Sequence, residues 1–129
     1  MKKKIPFICI NNSCRSQMAD GFARELGRDK IEVYSDGSNP SGEVDEMAIK
    51  VMREKGIDIS AQGSKGFSEL EEKDFDYVIT MGCKDVCPFV PAKARIEWDI
   101  PDPKGKSIQA FRETRDTIER KVQKLLEDL

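Results

Sequence analysis

From one end of the chain to the other, short apolar runs of strand length alternate with amphipathic segments of helical period, and this constrains the fold most. Ile5–Ile10 is an apolar run with Pro6 near its start, which predicts a buried strand. Ser13–Leu26 follows with Met18, Phe22 and Leu26 four residues apart and Gly27 as a stop, the pattern of a helix. A strand over Ile31–Ser35 is closed by the turn-forming Asp36-Gly37-Ser38-Asn39-Pro40. A second helix is expected over Glu43–Lys55, ending at Gly56, with Val44, Met47, Ile49, Val51 and Met52 unevenly buried. A short helical segment around Ser68–Lys73 precedes strands over Tyr77–Met81 and Arg95–Trp98, and Trp98 reads as core. The last helix spans about Ile108–Leu126, with Ile108, Phe111, Ile118, Val122, Leu125 and Leu129 on one stripe. Alternation of this kind predicts an α/β fold: a central parallel sheet of about four strands flanked by helices.

A chain of 129 residues is about one domain by length. With no internal repeat and no linker to divide it, residues 1–129 read as a single domain. Basic and acidic residues are interspersed and sum to a net charge of −2, which argues against nucleic-acid or anionic-membrane partners. Lys2-Lys3-Lys4 reads as a solvated start to the first strand. The run after it is too short for a signal peptide, and no stretch is long enough to span a bilayer, so a cytoplasmic protein is expected. In a reducing compartment the four cysteines mean metal, catalysis or packing rather than a disulfide scaffold.

Parallel sheets gather their functional loops at the carboxyl edge of the strands. Four segments are expected there: the loop after Cys9, Ser35-Asp36-Gly37, Met81-Gly82-Cys83, and Asp99–Pro103. The first carries the chemistry. Cys9 ends the first strand, and Ile10-Asn11-Asn12-Ser13-Cys14-Arg15-Ser16 leads into the first helix. Backbone N–H groups of such a loop can turn inward at a helix N-terminus, which suits a tetrahedral oxyanion. The helix end contributes about +0.5 charge and Arg15 a full one in a planar fork; both favour thiolate over thiol. The chain contains no histidine, so an activated Cys9 has to depend on the loop, the helix and Arg15. Cys14 reads as a small apolar filler beneath the loop.

Cys9-x4-Cys14 and Cys83-x3-Cys87 are loosely spaced like zinc ligands, but using them so would distort the anion loop and turn Arg15 toward a metal. No metal is expected. Asp102-Pro103 would ordinarily start a turn; its place at the carboxyl edge makes Asp102 a candidate proton donor, with Asp99 as its rival.

Cys-Ile-Asn-Asn-Ser-Cys-Arg-Ser resembles the phosphate-binding loop of the low-molecular-weight tyrosine phosphatases and of the arsenate reductases that share their fold. The likeness extends through Met18-Ala19-Asp20-Gly21-Phe22, Asp76-Tyr77-Val78-Ile79-Thr80-Met81 and Asp102-Pro103. It implies Cys9 as nucleophile, Arg15 as oxyanion holder, Asp102 as general acid, and Asn12 and Ser16 as supports of loop and thiolate. Cys83 and Cys87-Pro88 resemble the redox cysteines of the thioredoxin-coupled reductases, although only three residues separate the pair. The resemblance therefore implies an arsenate reductase with catalytic Cys9, Cys83, Cys87, Arg15 and Asp102 and an oxyanion loop over Ile10–Ser16. It implies no bound cofactor, and a thioredoxin-like protein or low-molecular-weight thiol as reductant. The alternative is a tyrosine phosphatase using Cys9, Arg15 and Asp102 alone. It is disfavoured because Lys104, not tyrosine, follows Asp102-Pro103.

Overall fold

The computed structural model describes residues 3–9, 14–27, 29–37, 44–60, 62, 75–81 and 92–129, with backbone alone at 34–37. Its elements run β1 (Lys3–Cys9), α1 (Arg15–Leu26), β2 (Ile31–Gly37), α2 (Glu46–Arg53), β3 (Phe75–Met81), β4 (Ala92–Trp98) and α3 (Ile108–Asp128). The four strands form one sheet in the order β2-β1-β3-β4, and every neighbouring pair is parallel. The expected α/β class and strand count hold. The expected helical segment at Ser68–Lys73 lies outside the described residues.

β1 and β3 are central and read as buried runs, whereas the edge strand β4 exposes Lys93, Arg95 and Glu97 on alternate residues. Charges on an edge discourage pairing with another chain. Pro6 sits inside central β1, where it lacks a ladder N–H. On the side facing β3, the backbone N–H of Lys4 donates instead to the Asp76 carboxylate at 2.8 Å, and regular pairing with β3 is found at Phe7 and Ile8. That backbone donor, followed by the Lys93 ammonium at 3.1 Å, holds the Asp76 carboxyl below its ordinary value.

β2 is longer than expected. Ser35–Gly37 are its last three residues rather than a loop, because the ladder with β1 continues to the pair Cys9–Gly37. Met81 pairs with Trp98 at the same end, so the carboxyl ends of all four strands share one edge.

The core gathers Phe7, Met18, Phe22, Met52, Phe111 and Ile118, all essentially inaccessible to solvent. α1 packs on β1, β2, α2 and α3. It comes close to the segment after α2 at Gly21, where a Cβ would lie 2.7 Å from Ile59 Cγ2 and 3.1 Å from Met52 Cε. α2 is shorter than expected, starting at an Asp45 cap whose side chain accepts from the Met47 N–H. It buries Ala48, Val51 and Met52, while Val44, Met47 and Ile49 are partly buried. Gly56 turns the chain with φ +78°. α3 buries Phe111, Ile118, Val122 and Leu125 as expected, together with Leu126, but Leu129 lies beyond the helix and is exposed.

Ion pairs tie α3 to α2. Arg112 forks onto Glu54 at 2.8 and 3.1 Å, and Arg115 reaches the same carboxylate at 2.7 Å while donating to the Val51 carbonyl at 3.0 Å. Hydrogen bonds from Arg112 and then Arg115 lower the Glu54 carboxyl from 4.5 to about 2. Among the described residues no helix is long and apolar enough to cross a membrane.

Candidate active site

β1 delivers Cys9 to the carboxyl edge and α1 begins six residues later. Cys9 is 2% exposed. Its Sγ lies 3.0 Å from the Oγ of Ser16, which sits in the first turn of α1. Either atom can donate in the thiol form; with a thiolate, only the hydroxyl can. Cys14 is the N-cap residue of α1, buried, with its carbonyl accepting from the Met18 N–H at 2.9 Å. Its side chain does not cap the helix. Cys9 and Cys14 are not disulfide-bonded.

Arg15 is 4% exposed, which is unusual for arginine. Its Nη1 donates to the Ile100 carbonyl at 2.9 Å, and its Nη2 lies 3.7 Å from Asp102 Oδ2. The other Asp102 oxygen accepts the Lys104 backbone N–H at 3.0 Å, an Asx turn that fixes the carboxylate. The guanidinium is thus pinned from the 99–103 segment and held in the plane its fork requires. Asp102 is partly exposed; Asp99 is exposed and forms no ion pair among the described residues. Of the two aspartates, Asp102 is the one that lies beside Arg15.

Cys9, Arg15, Ser16 and Asp102 are therefore brought together from β1, α1 and the segment after β4. Ile10, Asn11, Asn12, Ser13, Cys83 and Cys87 lie outside the described residues. Two contributors had no signal in the sequence. One is the Ile100 carbonyl, a backbone group that no side-chain pattern advertises. The other is Gln62, whose Nε2 donates to Gln17 Oε1 at 2.6 Å and to the Gln17 carbonyl at 3.2 Å, tying the segment after α2 to the start of α1. Gln17 is fully buried, so this amide pairing answers a polar group that would be costly alone.

A buried sulfur at a strand end, a hydroxyl against it, a helix N-terminus and a pinned guanidinium can attack and hold a tetrahedral oxyanion. The family described as low molecular weight phosphotyrosine protein phosphatase matches residues 4–129. The "Glutaredoxin arsenate reductase" of Synechocystis sp. is 42% identical over 127 residues, 96% of each chain. "Arsenate reductase 2" of Staphylococcus saprophyticus is 40% identical over 131 residues, 98% of each. A solved structure described as an arsenate reductase in the phosphate binding state superposes with a TM-score of 0.88 at 40% identity, covering 99% of this chain and 98% of that one. The chain belongs to the low molecular weight phosphotyrosine protein phosphatase family, among relatives that are arsenate reductases.

Proposed function

We propose that this protein reduces arsenate to arsenite. The observation that carries the reading is the meeting of Cys9, Ser16, Arg15 and Asp102 at the strand–helix junction of a chain similar to arsenate reductases over nearly its full length. Arsenate has the shape and charge of phosphate and suits the loop over Ile10–Ser16. Cys9 thiolate attacks arsenic(V), an S–As bond forms, and an arsenic-bound oxygen leaves as water with its proton from Asp102. Cys83 thiolate then attacks the Cys9 sulfur. The S–As bond breaks with its electron pair going to arsenic, arsenite leaves, and a Cys9–Cys83 disulfide remains. Cys87 attacks Cys83, returning Cys9 as a thiolate and moving the disulfide to Cys83–Cys87. A thiol reductant restores the pair. It is a thioredoxin-like protein or a low-molecular-weight thiol, and the glutaredoxin in the name of the Synechocystis relative belongs to the same chemistry. Loop N–H groups bind charge in both ground and transition states, so they contribute affinity as well as rate. The protein works in a reducing, cytoplasmic setting, and weak hydrolysis of aryl phosphates by Cys9, Arg15 and Asp102 is expected as a side activity.

The test separates the electron-transferring cysteines from the nucleophile. Cys83→Ser and Cys87→Ser should stop multiple-turnover arsenate reduction yet spare aryl phosphate hydrolysis, which needs no electrons. Cys9→Ser should abolish both. Parent-level reduction in the Cys83 and Cys87 variants would hand the reading to a phosphatase.

A further inference from the structure

Both oxygens of Asp102 are held. Oδ2 lies 3.7 Å from Arg15 Nη2, and Oδ1 accepts the Lys104 N–H at 3.0 Å. That N–H belongs to the peptide joining Pro103 to Lys104. The carbonyl of the same peptide accepts from the Lys106 N–H at 2.9 Å. A peptide unit is planar, so fixing its carbonyl oxygen also fixes where its N–H points. The Asp102 carboxylate therefore takes its direction from the turn Pro103-Lys104-Gly105-Lys106.

Closure of that turn depends on its third residue. Gly105 has φ +81°, the sign that a type II turn requires at this position and that residues with a Cβ avoid. A Cβ at Gly105 would meet nothing within 4 Å, so glycine supplies backbone conformation here and not space. The segment is fixed at both ends. Ile100 accepts from Arg15 Nη1 at 2.9 Å with its carbonyl, and Ser107 caps α3 by accepting from the Ala110 N–H. Between them, the rings of Pro101 and Pro103 lock their own φ and press Ile100 and Asp102 toward extended backbone. Gly105 alone of these residues carries no such restriction, and its conformation decides whether the turn closes.

We propose that Gly105 is a positioning residue for the proton donor. Its left-handed backbone closes the turn, the turn orients the 103–104 peptide, and that peptide aims the Asp102 carboxylate beside Arg15. Gly105 touches no reacting atom and acts only through Asp102. The role of Asp102 as proton donor comes from the reductase reading above, whereas the hold of the turn on its carboxylate follows from the hydrogen bonds alone.

Gly105→Val in the full-length protein tests this, because a β-branched residue cannot keep the positive φ and yet meets no neighbour. Amide order parameters at Lys104 and Lys106, measured by NMR on the reduced protein, should fall from about 0.85 to below about 0.6. The kcat for arsenate should drop about tenfold, the scale on which L-residues avoid left-handed backbone, with KM changed less than about twofold. Gly105→Asn, which tolerates that backbone, should keep both the amide order and the rate. In an Asp102→Asn background, Gly105→Val should cost less than about twofold more, since the group it places is already gone. Unchanged amide order or unchanged kcat in Gly105→Val, an equal loss in Gly105→Asn, or losses that multiply in the double variant would overturn the proposal. A parent protein that releases no arsenite would fault the reductase reading instead, and the amide order would still decide whether Gly105 holds the turn.

Discussion

Gly21 lies in the middle of α1, the helix that carries Arg15 and Ser16, and its missing side chain lets the helix approach the segment after α2. Gly21→Ala isolates that approach. Helix propensity alone would stabilise the variant by up to about 1 kcal/mol. Against this stands the new Cβ, 2.7 Å from Ile59 Cγ2 and 3.1 Å from Met52 Cε. Met52 presents the flexible end of its chain and can move aside, but Ile59 is β-branched and fully buried, so its methyl cannot yield without shifting the backbone. Overpacking of this kind costs about 1–3 kcal/mol, which leaves a net loss of about 1 kcal/mol. For a chain of this size that lowers Tm by about 3–5 °C. Urea unfolding of the reduced protein would measure it. The double variant supplies the control: Ile59→Ala alone should cost about 2–5 kcal/mol, and at least about 0.5 kcal/mol less in the Gly21→Ala background, where the added methyl fills part of the void. A Gly21→Ala variant as stable as the parent, or additive costs in the double variant, would refute the packing argument.

Three further outcomes follow from the same geometry. Glu54 has a folded-state value of about 2 against 4.5, so its pairing with Arg112 and Arg115 stabilises the fold above about pH 4.5 and is lost as pH falls toward 2. Glu54→Gln should accordingly lower the urea midpoint at pH 7, and the gap from the parent should close between about pH 5 and 2; a pH-independent gap would contradict it. Asp102→Asn should reduce kcat for arsenate by about 100-fold or more with a small change in KM, as expected for loss of a proton donor, and steady-state kinetics showing a kcat within twofold of the parent would remove that role. Ser16→Ala should slow alkylation of Cys9 by iodoacetamide at fixed pH, since the thiolate loses its hydroxyl partner at 3.0 Å; equal alkylation rates would show that the contact does not matter to the anion.

Much of the fold could be read from the sequence because period and punctuation agree with tertiary packing. α1 stops at Gly27 and α3 starts at Ile108, as their patterns say, and the apolar run beginning at Ile5 is the most buried part of the sheet. Boundaries went astray where pairing or capping decides them. β2 continues to Gly37 because β1 offers a partner as far as Cys9, and α2 waits for the Asp45 cap. Cys9, Arg15, Ser16 and Asp102 were legible as residue types at loop positions, since parallel strands send their ends to one edge. The anchoring of Arg15 by the Ile100 carbonyl was not: a backbone acceptor looks the same at every residue, and only the path of the chain brings this one within 2.9 Å. The Gln17–Gln62 pairing was hidden for a similar reason, because two glutamines 45 residues apart carry no periodic signal.

The central claim is that electrons for arsenic come from the protein's own thiols, and single-turnover stoichiometry tests it most directly. Fully reduced protein would be mixed with excess arsenate in the absence of any external reductant, then quenched with acid and alkylating agent. Arsenite would be counted, and the remaining thiols and disulfides located by peptide mass spectrometry. The account predicts one arsenite per chain, loss of two thiols, and a disulfide between Cys83 and Cys87 with Cys9 again alkylatable. No arsenite, or arsenite formed with all four cysteines still reduced, would contradict it.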